Sequence, residues 1–155
     1  MSVDPAIAGR VYPPSDPYQV GREKIREFAA ATRATHPAHH DVEAAKALGY
    51  TDLVAPPTFA VVLAQRVEAQ LIEDPAAGID FSRVVHGEEK FRHHRPIVAG
   101  DSLTGTLHVE SVRERAGITM LTTRVELADV SGEAVSSVTS MLVIRAPEPA
   151  AEEPS

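Results

Sequence analysis

Pro56-Pro-Thr-Phe-Ala-Val-Val-Leu-Ala-Gln-Arg-Val-Glu-Ala-Gln-Leu-Ile72 decides the architecture of this chain of 155 residues. Pro57 suits the first turn of a helix, where its missing N–H would have no intrahelical partner anyway. Phe59 to Ala64 is apolar without a break, so the opening turns are expected to be buried on every side. Further on, Val67, Leu71 and Ile72 keep one apolar face, while Gln65, Arg66, Glu68 and Gln70 supply polar ones. Asp74-Pro75 ends the helix. A rod this greasy needs a wall around it.

The second half of the chain supplies that wall. Residues 84–91, 103–112, 118–127 and 135–145 are rich in Val, Ile, Leu and Thr, alternate partly with period two, and are separated by Gly-containing turns. Arg115-Ala-Gly117 and Asp129-Val-Ser-Gly132 read as hairpin connections. A single buried helix followed by long antiparallel strands predicts an α+β fold, with a curled antiparallel sheet wrapped around a central buried helix.

Upstream, the prolines at 13, 14 and 17 force an extended entry, and a helix is expected over 21–32 with Ile25, Phe28, Ala29 and Thr32 on one face. On its charged side, Glu23 with Arg26 and Lys24 with Glu27 fall at i, i+3. Pro37 stops that helix. Asp41 reads as the N-cap of a short helix through Leu48, closed by Gly49. The segment Ala34-Thr-His-Pro-Ala-His-His-Asp41 therefore puts three imidazoles on a Pro-broken loop just before the central helix. One domain is expected over 9–145, with a flexible N-terminus over 1–8 and an acidic, proline-spaced tail over 146–155.

Composition sets outer limits. A net charge of -7 argues against nucleic acid, and zero cysteines exclude a disulfide framework and thiolate chemistry. The start MSVDPAIAGR lacks the features of a secretory signal, and no stretch approaches the roughly 20 apolar residues that a bilayer requires. A cytoplasmic protein without membrane contact is the expectation.

The words Val20-Gly-Arg-Glu-Lys-Ile-Arg-Glu-Phe-Ala29, Ala44-Ala-Lys-Ala-Leu-Gly-Tyr50, Ala55-Pro-Pro-Thr-Phe59 and Arg95-Pro-Ile-Val-Ala-Gly-Asp-Ser-Leu103 jointly carry a resemblance. The chain resembles the hot-dog fold of the MaoC-like (R)-specific enoyl hydratases and 3-hydroxyacyl dehydratases over about residues 8–145. Within them it is most similar to the small actinobacterial-type (3R)-hydroxyacyl-ACP dehydratase subunits that hold substrate, with their FAS1-like dehydratase domain. The resemblance implies an acyl-CoA or acyl-carrier-protein thioester as ligand, no cofactor or metal, and a homodimer or a heterodimer with a catalytic hot-dog subunit in fatty-acid-type metabolism.

Laid over the family signature Asp-x-Asn-Pro-x-His, Pro37 takes the proline, His39 the histidine, His36 the asparagine and Ala34 the aspartate. The His-Gly that opens the family's central helix falls on Pro56 and Pro57, neither of which has an amide hydrogen. The resemblance thus makes His39 the catalytic candidate and His36, Pro37, His40, Tyr50, Pro56, Pro57, Thr58 and Phe59 the substrate-binding set, with the acidic partner and one oxyanion donor missing. His36 or His40 is the candidate to replace the acid, and the Thr58 amide the candidate to replace the donor. The rival readings are a non-enzymatic acyl-thioester-binding homodimer and a hot-dog thioesterase using Asp41 or Asp52. His86, His93, His94 and His108 are expected to be solvated, and a zinc site joining His36, His39 or His40 to His93 or His94 is disfavoured. Arg22, Lys24 and Arg26, or Lys90, Arg92 and Arg95, are candidate basic docks for the acidic helix of an acyl-carrier protein, although a solvated charged face is the simpler reading. Gly100-Asp101 is expected to be a turn.

Overall fold

The computed structural model describes residues 3–146. Strand β1 (Tyr18–Gln19) leads into helix α1 (Arg22–Ala31), then α2 (Val42–Ala47), the central α3 (Ala60–Ile72), and strands β2 (Val84–His93), β3 (Ser102–Arg115), β4 (Ile118–Asp129) and β5 (Ala134–Arg145). The strands form one curled antiparallel sheet in the order β1-β3-β4-β5-β2. Helix α3 lies on its inner face, where Phe59, Leu63, Val67 and Leu71 meet Leu103, Leu107, Leu121, Val125, Val138 and Leu142 in one buried core. This is the architecture expected from the sequence.

The close approach of α3 to the sheet depends on Gly105. A Cβ there would stand 2.4 Å from Val67 Cγ2, so the helix could not sit as low against any other residue. Local signals position the other helices. The Asp41 side chain accepts from the Glu43 and Ala44 amides, and Gly49 closes α2 at φ +92°. Helix α1 ends in a Schellman motif, with Ala34 N–H donating to Ala29 O and Arg33 N–H to Ala30 O. Both expected i, i+3 pairs on α1 are formed, Glu23–Arg26 and Lys24–Glu27.

Three expectations need correction. The N-terminus is not a loose end from residue 3 onward: Asp4 caps a single turn over Pro5–Ile7, and both Val3 and Ile7 are buried. The apolar side chains find cover in the main core, and the backbone then runs beside β3, with Gly9 N–H on Val109 O, Tyr12 N–H on Leu107 O and Ser15 N–H on Gly105 O. Ala146, placed in the expected tail, is tied to the β3–β4 turn by its N–H on Gly117 O; the rest of that tail, residues 147–155, lies outside the described residues.

Glu68 is the third. Read as part of a polar surface, it is 4% exposed and faces the sheet, where Thr123 Oγ1 donates to its Oε1 at 2.7 Å. Burial pushes its carboxyl pKa up, against the lowering effect of hydrogen bonds from Thr123 and Ser140, with nearby Glu89 adding to the rise.

One edge of the sheet is covered by the segment over 9–15. The other, along β2, pairs with β5 on one side and with nothing among the described residues on the other.

Candidate functional site

The loop of imidazoles is folded into a rigid turn. Pro37–His39 forms one turn of 3-10 helix, and the His36 ring caps it, its Nδ1 accepting from Ala38 N–H at 3.1 Å. Ala38 is fully buried, and its carbonyl receives Val54 N–H, which staples the turn to the segment before α3. That segment is tied in turn to the chain beyond β2, through Ala55 N–H on Ile97 O and Ala99 N–H on Leu53 O. His39 Nδ1 lies 2.7 Å from Val54 O. A carbonyl oxygen only accepts, so Nδ1 carries the hydrogen there.

These three segments enclose a cavity of about 590 Å³ at the N-terminal end of α3. Of the candidate residues, His39 and, from the binding set, His36, Tyr50, Pro56 and Pro57 line it. Pro37, His40, Thr58 and Phe59 do not. The His40 ring turns away to bond Ala34 O at 2.8 Å, and Phe59 is core, edge-on to Phe28 with ring centroids 5.5 Å apart.

At the helix mouth Pro56 and Pro57 have no N–H, and the Phe59 amide is bound to Pro56 O at 2.9 Å; the Thr58 amide has no partner among the described residues, but Thr58 does not line the cavity. Among the described residues, the side chain that bonds the turn is that of His93, the last residue of β2. Its Nε2 is 2.7 Å from Pro57 O, while its Nδ1 is 3.0 Å from Ser136 Oγ.

The far wall runs from His93 to Ile97. His93 and His94 are exposed, as expected, and both also border the cavity. Pro96 ends the strand pairing at this point, and the chain folds back beside the helix mouth. Arg95 is held by Asp101 through two nitrogens at 2.9 and 3.0 Å, with Asp129 at 3.5 Å, so its charge is compensated. Gly100-Asp101 is a turn, as expected, with Gly100 at φ +97°.

Among the described residues no carboxylate lines the cavity. Asp41 is spent on the α2 cap. Asp52 is bound to Arg22, which together with the Leu53 amide holds its pKa below the ordinary carboxylate value. A thioesterase built on either is therefore not supported. Among the described residues no group of three or more His, Asp or Glu side chains is placed to hold a metal ion, and no helix is long and apolar enough to cross a membrane.

A family model described as "FAS1-like, dehydratase domain region" matches residues 6–138. A UPF0336 protein of Saccharopolyspora erythraea is 52% identical over 145 residues, 94% of this chain and 93% of the relative. Among solved structures, a MaoC-like dehydratase superposes with a TM-score of 0.83 at 37% identity, over 91% of this chain but only 43% of that longer protein. The C-terminally truncated HadBC complex, a (3R)-hydroxyacyl-ACP dehydratase from Mycobacterium tuberculosis, gives 0.78 at 37% identity over 88% of this chain and 96% of the other. The buried rod and curled sheet match those hot-dog neighbours, and the chain belongs to the FAS1-like dehydratase family.

Proposed function

We propose that this chain is the acyl-holding subunit of a (3R)-hydroxyacyl-thioester dehydratase, or of an enoyl hydratase running the same step in reverse, and that it takes acyl-CoA or acyl-carrier-protein thioesters. The observation that carries the reading is the cavity at the α3 mouth: of ligand size, walled largely by apolar side chains, without a carboxylate among the described residues, and opening on two prolines that have no amide hydrogen.

Dehydration breaks a Cα–H bond and the C3–O bond. A base takes the α-proton, an acid delivers a proton to the leaving hydroxyl, and donors stabilise the enolate-like thioester oxygen. His39 offers one free ring nitrogen. The position of the family aspartate is Ala34, whose carbonyl holds the His40 ring. Losing one oxyanion donor costs about 100- to 1,000-fold in comparable sites. Two deficits in one cavity leave it fitted to bind rather than to turn over, at roughly 0.8 kcal/mol for each methylene buried.

The missing groups are supplied by a second hot-dog chain. HadBC is a complex, and the open edge of β2 gives this chain ten residues along which another strand can pair. The test is a dehydratase assay of the purified chain alone and mixed with a hot-dog chain carrying an intact Asp-x-Asn-Pro-x-His. Turnover only in the mixture is expected. Full activity of the lone chain, abolished by His39→Ala, would overturn the holding role; binding without turnover in every pairing would make it a non-enzymatic thioester binder.

A further inference from the structure

Two of the four cavity imidazoles, His36 and His39, are held in opposite tautomers by the backbone. His39 Nδ1 faces a carbonyl, Val54 O, and must carry its hydrogen, which leaves Nε2 of the neutral ring as a bare lone pair. His36 Nδ1 faces an N–H, that of Ala38, and must be the bare nitrogen, which puts the hydrogen of the neutral ring on Nε2. Neither Nε2 has a protein partner among the described residues. Both rings line the same cavity, with centroids 6.0 Å apart and planes inclined at 68°. His40, next in line, takes no part, because its Nε2 is bound to Ala34 O.

From this we infer that His36 and His39 form a donor–acceptor pair that reads a 1,3-hydroxycarbonyl group. His36 Nε2–H donates to the thioester carbonyl oxygen and stands in for the amide that Pro56 and Pro57 lack. His39 Nε2 accepts from the C3 hydroxyl. The chemistry selects the ligand. A 3-hydroxyacyl thioester offers one acceptor and one donor, matching the pair. A saturated or 2-enoyl thioester offers the carbonyl alone and leaves His39 without a partner in a partly buried wall. Discrimination by one hydrogen bond of this kind is worth roughly 2- to 12-fold in affinity. The inference rests on the thioester reading above and adds to it which form of the thioester is held, and by which atoms.

Asparagine makes a clean probe at both positions. Its amide reaches about as far as imidazole Nδ1: at 36 its oxygen still accepts from Ala38 N–H, and at 39 its NH₂ still donates to Val54 O. In each case Nε2 alone is lost. The measurement is calorimetric titration of the full chain, at a pH alkaline enough to keep imidazole neutral, with 3-hydroxyacyl-CoA and saturated acyl-CoA of one chain length. Where the lone chain binds neither, the same titrations are made on its complex with the catalytic partner.

The native chain is expected to prefer the hydroxyacyl form severalfold. His39→Asn should abolish that preference and leave affinity for the saturated thioester unchanged. His36→Asn should weaken both ligands by a similar factor and keep their ratio. Equal binding of the two ligands by the native chain, or a ratio that survives His39→Asn, would overturn the pairing while leaving the thioester reading intact. Binding of neither thioester in either format would sink both.

Discussion

Gly105→Ala adds one methyl group at the tightest helix–sheet contact described. The new Cβ would lie 2.4 Å from Val67 Cγ2, 3.2 Å from Leu127 Cδ2 and 3.3 Å from Val125 Cγ1. Non-bonded carbons sit best at about 3.5–4.0 Å, so Val67 must withdraw by roughly 1 Å or more. It has little room, because Val67 is 2% exposed and the two neighbours crowd the same point from β4. Overpacking of this kind costs about 1–3 kcal/mol. For a chain of this size each kcal/mol lowers Tm by about 2–4 °C, so a loss of roughly 2–12 °C is expected.

Urea denaturation of Gly105→Ala, Val67→Ala and the double variant separates this clash from a simple loss of stability. Val67→Ala removes the methyl that the new Cβ would strike, so the double variant should be more stable than the sum of the single losses by about 1 kcal/mol or more. Strict additivity, or a Gly105→Ala protein as stable as the native one, would refute the claim that α3 is seated this low. The site should respond as well, since α3 carries the Pro56–Pro57 turn that His93 grips.

Glu68→Gln tests the buried carboxyl. Burial raises its folded-state pKa above the ordinary value of 4.5, so the folded chain holds that proton more tightly than the unfolded one. Its contribution is therefore fully present below about 4.5 and is lost as pH rises from there through the raised folded value. Glu68→Gln should remove this fall, match the native chain in acid and exceed it at neutral pH, as read by Tm against pH; a native-like profile would count against burial as the cause. Ala116→Asn should stabilise the β3–β4 hairpin by about 0.5–1 kcal/mol, because Ala116 sits at φ +51° before Gly117 at φ +73°, a two-residue turn that favours Asn-Gly. No rise in the urea midpoint would show that the loop relaxes out of that turn.

The elements of this fold were legible where the signal is local. The unbroken apolar run from Phe59, the Asp41 cap, Gly49 and the alternating strands each announce themselves within a few residues. The site was legible in its near half, because Pro37 and the Pro56–Pro57 pair fix two short turns by their own chemistry. What escaped depends on partners distant in sequence. Glu68 looks like a solvated helix residue until Thr123, 55 residues on, offers it a hydroxyl. His93 looks like a strand-end surface residue until the chain reverses at Pro96 and brings its ring to Pro57, 36 residues back. The run His93-His-Arg-Pro96 after a strand was the available hint that a polar wall begins there. His40 failed for the opposite reason: adjacent side chains on a tight turn diverge, so one of two neighbouring imidazoles had to point elsewhere.

The cations of this chain are almost all spoken for at the places where a carrier would land. Arg22 faces Asp52, Lys24 faces Glu27, Arg26 faces Glu23, Lys90 faces Glu88 and Arg95 faces Asp101. With a formal charge of -7 over the whole molecule, the long-range field pushes phosphorylated or acidic carriers away rather than drawing them in. Encounter with such a carrier is then limited by repulsion across the solvent, and added salt should hasten capture by the isolated protein rather than slow it. On the proposed reading, a catalytic partner chain with a basic face would speed this capture and reverse its salt dependence.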